Sequence, residues 1–437
     1  MLMRINSKLV ISVVMLMVLL TSVGFASDYQ PRPGVLSPEE VDFGGETVTI
    51  LVQDLKWVVH NGGNPTDERI EEAQELFNVN IELGEMGSVE SMMGRIMAGD
   101  STYDVIRINH RSGYFPLVSG GMLYPVSQIL PDEYFEALPT PDQYSIKKLA
   151  FKGDLYGFGV TYGLFNGSMM ITMYNKDLIE EAGLEDPYDL WLEGRWDYDA
   201  MEKIGLALTQ DTDGDGELDQ WGLNSITSSF ALYRFMPSNG AEIAKQDENG
   251  KWVYTLNQKE AIEAINTVYR WNNELKIMGS GDFNLGQVAI NPHTHLAGAR
   301  HAVAAGVNVG FVPQPKGPHV EENQWPTFDF SANFLPVNVA YPEGMIALVD
   351  FLFREEDGEE YLDFYINSYM TSRDHLDVYM AGAESWRGEG DVFQNSGLWD
   401  VTNDAITAVM NGEKSAAAAT DEVAQQAQAF LDDLFEQ

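Results

Sequence analysis

The chain has 437 residues, 67 of them Asp or Glu against 26 Lys or Arg, for a formal charge of −41. A field of that sign repels nucleic acid and anionic membrane surfaces, which excludes both as partners. The 44% hydrophobic content suits two sizeable domains, and the absence of cysteine excludes disulfides, thiolate metal ligands and cysteine catalysis.

Residues 1–26 read as a cleavable signal peptide. Arg4 and Lys8 form a basic start, Leu9–Leu20 is apolar apart from Ser12, and Gly24 and Ala26 supply small residues for cleavage. The apolar run is shorter than the roughly 20 residues that span a bilayer, so it directs export rather than anchoring the chain. No later stretch is apolar enough to be a transmembrane helix. With no lipid-accepting cysteine at the cleavage site, the expected location is the periplasm or the exterior, with no membrane insertion.

A Pro-rich leader, residues 27–45, precedes the fold. Thr47–Val52 is β-branched and alternating, the pattern of a strand. Pro65–Phe77 reads as an amphipathic helix, 78–83 as a strand, 89–99 as a helix and 103–109 as a third strand. Strand, helix, strand, helix, strand implies parallel βαβ units and an α/β sheet, with ligands gathering where the strands end.

Farther along, 169–184 reads as a strand followed by a helix that stops at Gly183. Residues 195–210 form a helix that leads into DTDGDGELD, Asp211–Asp219. A long helix over 258–275 has Ala261, Ile262, Ile265, Val268, Tyr269 and Trp271 available for its core face. Residues 307–318 are a strand running into a Pro/Gly turn, and 340–353 and 423–435 are amphipathic helices. Trp196 and Trp271 are expected to pack rather than to bind.

DTDGDGELD offers the carboxylates of Asp211, Asp213, Asp215 and Asp219 and the Glu217 carbonyl to one calcium ion. Hard oxygens at alternate positions around a glycine suit that cation. Gly222 stands where an EF-hand would carry its bidentate glutamate, and an extended segment follows instead of a second helix. The expectation is a structural Ca2+ site, a staple rather than a switch.

Several segments together resemble one family: MYNKDLIEEAGL, RWDYDAMEKIGLALTQ, DTDGDGELDQWGL, FNLGQVAI, VGFVPQPKGP and YDVIRINHRSGYFPLVSGGMLYPV. In this order and spacing they are similar to the extracellular solute-binding proteins of ABC importers, specifically the sugar-binding group that includes maltodextrin-binding protein. The resemblance implies a periplasmic-binding-protein-like fold, two α/β lobes joined by a hinge of crossover strands. Residues 46–157 plus about 332–370 would form the N-terminal lobe, and 158–331 plus about 371–437 the C-terminal lobe. Crossovers would fall near Tyr156–Tyr162 and Phe328–Ala332 and after Phe364.

Carried over position by position, the family's cleft residues fall on Asp54, Trp57, Arg107, Asn109, His110, Arg111, Tyr162, Asn291, His293 and Phe330. Trp386 or Trp399 would add a stacking platform. Sugar recognition needs such aromatic faces for the ring and planar polar groups for its hydroxyls. The family often places an aromatic soon after the position of Asn291, whereas this chain reads NPHTHL, which argues against a long α-glucan. Arg107 and Arg111 would suit a uronate or neutral hydroxyls.

The implied function is a monomeric, non-catalytic importer subunit that captures a carbohydrate and delivers it to membrane permease subunits. A carboxylate-pair glycoside hydrolase and a calcium-dependent extracellular binding module are the alternatives. The first rests on the abundance of acidic residues and the second on the acidic loop alone. No GxSxG, HExxH or P-loop motif is present.

Overall fold

The computed structural model describes residues 29–53, 67–161, 169–326, 330–353, 370–385, 393 and 396–435. The expected signal peptide lies outside them.

The first sheet begins with β1 (Thr47–Val52), whose alternation sends Val48 and Ile50 into the core. Helix α1 (Asp67–Leu76) is followed by buried Phe77 and by Asn78, a left-handed residue at φ 49°. That turn consumes two residues, so β2 (Asn80–Glu85) starts later than the apolar pattern implies. Ser88 caps α2 (Val89–Ala98) by accepting from the Ser91 N–H, and Gly99 ends it in the left-handed region. β3 (Asp104–Asn109) runs parallel to β1, as β2 does. Short helices α3 (Tyr114–Ser119), α4 (Asp132–Glu136) and α5 (Thr140–Lys148) follow.

The second sheet starts at β4 (Met170–Asn175), buried along its whole length. Next come α6 (Lys176–Glu181), capped by Asn175, α7 (Pro187–Leu192), α8 (Tyr198–Ala207), β5 (Trp221–Asn224) and α9 (Ser229–Phe235). A hairpin of β6 (Ala244–Gln246) and β7 (Trp252–Tyr254) precedes α10 (Lys259–Tyr269). Then follow β8 (Met278–Gly279), β9 (Val288–His295), α11 (Leu296–Ala304) and β10 (Val309–Val312). The strand order is β10-β4-β9-β5-β8, with β5 parallel to β8 and β9, and β4 antiparallel to both of its neighbours.

The chain then returns to the first sheet. β11 (Ser331–Phe334) pairs antiparallel with β3, which makes the order β11-β3-β1-β2. Helix α12 (Pro342–Leu352) packs on α1, whereas α13 (Arg373–Ser385) packs back on β10. α14 (Gly397–Met410) and α15 (Ala416–Phe435) pair with each other, and α15 also lies on β7. The backbone therefore passes between the two sheets three times.

The last helix starts at Ala416, earlier than expected, and three others differ from expectation for physical reasons. α8 is shorter because Asp197 caps it, accepting from the Ala200 N–H, while Trp196 is fully buried with its indole N–H on the Pro313 carbonyl at 2.9 Å. α10 ends at Tyr269 and continues as one π-turn that buries Trp271. α12 is not amphipathic: Gly344–Leu352 is buried all round. Its buried acid, Asp350, accepts from the Tyr29 hydroxyl and from Arg32 Nη1, both at 2.6 Å, so the leader straps the helix down. Burial and this carboxylate hold the Tyr29 phenol protonated far above its ordinary range. Among the described residues no helix is long and apolar enough to cross a membrane.

Candidate functional site

In an α/β sheet, ligand-binding groups gather at the carboxyl ends of parallel strands. At that end of the first sheet, Asn109 closes β3 and its side-chain amide donates to Gln53 Oε1, just beyond β1, at 2.9 Å. Ser112 donates to Asn109 Oδ1 at 3.1 Å, which fixes the amide's orientation. Both Gln53 and Asn109 keep access to solvent. Sequence reasoning had not singled out Gln53, because an isolated polar residue after a strand carries no distinguishing pattern.

His110 is buried against Phe330. Its N–H donates to the Phe330 carbonyl at 2.8 Å, and its Nδ1 accepts from the Phe330 N–H at 3.1 Å. An accepting Nδ1 places the proton of a neutral imidazole on Nε2. Phe330 is itself fully buried, edge-on to His110 at 5.6 Å and stacked on Tyr144 of α5 at 5.8 Å. Of these three rings only Tyr144 is partly exposed. Phe330 thus backs Tyr144 rather than facing solvent. Arg107 donates to the Val160 carbonyl, in the first segment that connects the sheets, and to Asn333 of β11, while Arg111 is half-buried.

At the mouth of the second sheet, β9 carries Asn291 and His293, and Asn291 Oδ1 accepts from the His293 N–H at 3.4 Å. The Pro292 carbonyl between them accepts from Gln314, a fully buried side chain just past β10, at 3.3 Å. Burial, aided by the nearby charge of Arg234, pushes the His293 imidazole down to about 4. His293 is therefore neutral at pH 7, a hydrogen-bonding group and not a cation. Arg234, on α9, is 4% exposed. Neither Arg234 nor Gln314 was legible as a neighbour of His293, since β9 meets them only through tertiary packing.

Asp54, Trp57, Tyr162 and Trp386 lie outside the described residues. Trp399 is partly buried on α14, its ring edge-on to Tyr233 at 5.0 Å.

The acidic loop is a separate site on the second sheet's side. Carboxylate oxygens of Asp211, Asp213 and Asp215 lie within 4.8 Å of one another on an exposed turn. Asp211 accepts from the Gly214 and Gly216 N–H groups, Asp213 from the Asp215 N–H and Asp215 from the Glu217 N–H. Asp219 is not part of the trio. Its carboxylate accepts from the Thr212 hydroxyl and backbone and from the Asp213 N–H, bonds that lower its pKa. The neck is closed by paired Gln210 and Gln220. A Cβ at Gly222 would lie 2.1 Å from the Gly205 carbonyl oxygen, so no ligating side chain fits there, and strand β5 follows instead of a second helix. The donor set is chemically suited to a hard divalent cation.

Known proteins meet the chain on the same ground. A profile of bacterial extracellular solute-binding proteins matches residues 70–359, about two-thirds of its length. The chain belongs to that family. A search of curated proteins finds no match. Among solved structures, a cyclo/maltodextrin-binding protein complexed with maltotetraose aligns with a TM-score of 0.63 and 18% identity, over 93% of this chain and 98% of the other. The maltose/maltodextrin-binding domain MalE from Bdellovibrio bacteriovorus, bound to maltotriose, aligns at 0.59 and 17%, over 90% and 100%. An ABC substrate-binding protein from Listeria monocytogenes, in complex with cycloalternan, aligns at 0.60 and 17%, over 89% and 98%. At these identities the likeness shows the fold: this solute-binding protein has the periplasmic-binding-protein-like α/β architecture. The profile match runs from within α1 to just past α12, leaving out β1, and it includes the first two of the three crossings.

Proposed function

We propose that the protein is the exported substrate-binding subunit of an ABC importer, and that its solute is a carbohydrate of oligosaccharide size. The observation that carries this reading is the chemistry at the two strand-end clusters. Gln53 and Asn109 on one side, and Asn291 and neutral His293 on the other, are uncharged polar groups of the kind that pair with hydroxyls, and the partly exposed Tyr144, stacked on Phe330, adds an aromatic ring. Maltotriose, maltotetraose and cycloalternan in structures of the same fold support it.

In this reading the solute enters between an N-terminal lobe, built on the first sheet, and a C-terminal lobe built on the second. Contacts available only when both lobes reach the solute drive hinge closure. The closed form then engages the membrane permease. The protein acts as a monomer, in the periplasm or outside the cell after loss of its signal peptide, and does no chemistry on its cargo. Asp211, Asp213, Asp215 and the Glu217 carbonyl would hold a Ca2+ ion, which would cross-link the loop electrostatically. Backbone N–H groups of the loop hold the carboxylates in place.

The test is a thermal-shift and product assay with maltotriose, maltotetraose and a uronate oligosaccharide. Binding without turnover raises the melting temperature, by the equivalent of about 2.7 kcal/mol at a ligand concentration of roughly 100 times Kd. Release of reducing sugar would overturn the transport reading.

A further inference from the structure

The sequence places Arg107 among the solute contacts, but the structure gives its guanidinium other work. Nη1 donates to the Val160 carbonyl at 2.8 Å and to Asn333 Oδ1 at 2.9 Å, and the guanidinium carbon lies 3.9 Å from the centre of the Phe353 ring. These partners are not neighbours in the chain. Val160 belongs to the first passage between the sheets. Asn333 lies in β11, directly after the second, and Phe353 ends α12, where the third begins. A single side chain on β3 thus touches the first connection and the first-sheet ends of the other two, at the strand the second enters and the helix end the third leaves.

The partners are also joined to one another. Asn333 donates to the Phe158 carbonyl through both its backbone N–H, at 3.2 Å, and its side-chain amide, at 2.9 Å, and its own carbonyl accepts from the Phe158 N–H. Gly159 follows at φ +72°, and a Cβ there would lie 2.8 Å from Asn333 Nδ2. β3 itself is held on both sides, by β1 and by β11. A planar guanidinium presents its donors at fixed angles and stacks on an aromatic face, which an ammonium group cannot reproduce.

We infer that Arg107 is a positioning residue, a hinge pin that clamps the first-sheet ends of the three connections to β3 at one point. Closure of a two-lobed protein requires each connection to rotate where it leaves the rigid sheet. A shared clamp makes them rotate about one axis, so that the two solute-binding clusters meet in a single register. Arg107 thereby sets solute affinity without touching solute. This rests on the two-lobed family architecture and not on which solute is bound.

The experiment needs no ligand. The chain has no cysteine, so Met97→Cys on the first-sheet side and Leu285→Cys on the second-sheet side, at positions 76% and 73% exposed, accept spin labels uniquely. Pulsed electron–electron double resonance on the full mature protein then reads the interlobe distance distribution. Arg107→Met is expected to widen that distribution about twofold, since the lobes sample orientations the pin excludes. Arg95→Met is the control: it removes an ion pair to Asp104, 2.7 Å long and internal to the first lobe, and lowers the melting temperature with the distribution unchanged. An unchanged distribution in Arg107→Met, with or without a lower melting temperature, overturns the proposal. Should that variant not fold, Arg107→Lys keeps the charge and loses the fork, and it too must broaden the distribution for the proposal to stand.

Discussion

The acidic loop and the junction around Arg107 are both compact polar knots, yet they are built on opposite principles. In the loop each of the four aspartates finds its donor within seven residues along the chain, as Asp219 does with Thr212 and Asp211 with Gly214. At the junction the partners stand 53 and 226 residues apart, and the leader's clasp on Asp350 spans more than 300. The loop is exposed and the junction is largely buried. Local knots in water are cheap to change, because solvent replaces each lost partner. Non-local buried knots are costly, because a partner is left stranded and the segments it joined come apart.

That contrast can be broken in order of expected effect. Asp350→Ala removes the buried carboxylate that both Arg32 and the Tyr29 hydroxyl donate to, and should cost about 3 kcal/mol in urea denaturation. A cost below about 1 kcal/mol would mean that the leader is dispensable to the first lobe. Asn333→Ala, at the fully buried junction, should cost about 2 kcal/mol by the same measurement.

The pH dependence comes next. His293 in the folded protein titrates near 4, below the ordinary value of 6.5, so the unfolded chain takes up a proton that the folded one refuses. Stability is complete above about pH 6.5 and falls as the pH drops toward 4. Buried His375, whose pKa is lowered chiefly by burial, acts in the same direction. His293→Gln should flatten part of that fall in a melting-temperature series from pH 7 to 4, and an unaltered slope would show that His293 is not responsible.

Smallest is Asp211→Ala. In the presence of chelator it should change stability by about 0.5 kcal/mol or less, as expected of an exposed site. With calcium added, the wild-type melting temperature should rise and that of the variant should not. Equal responses of the two proteins would remove calcium from the account of the loop.

What was legible in the sequence follows the same division. β1 and β3 could be read because alternation is a property of neighbouring residues, and Trp196 and Trp271 do pack as expected, though one precedes α8 and the other sits in the π-turn after α10. The capping Asp197 and the left-handed Asn78 moved element ends by a few residues, through bonds and turns that periodicity does not register. The candidate site was legible only by address. β3 does end at Asn109 and β9 does carry Asn291 and His293, but the roles of the side chains there depended on partners from elsewhere. Phe330 became the buried backing of Tyr144, and Arg107 a tie between connections.

The sequence by itself determined the α/β order of elements and the family, because each is encoded in residues within a few positions of one another. Tertiary structure decided which side chains at the strand ends remain open to a solute and which are consumed in joining the lobes. That assignment depends on β11 returning, more than 200 residues later, to lie beside β3. No pattern along the chain announces which buried amide will meet which arginine once the sheets have formed.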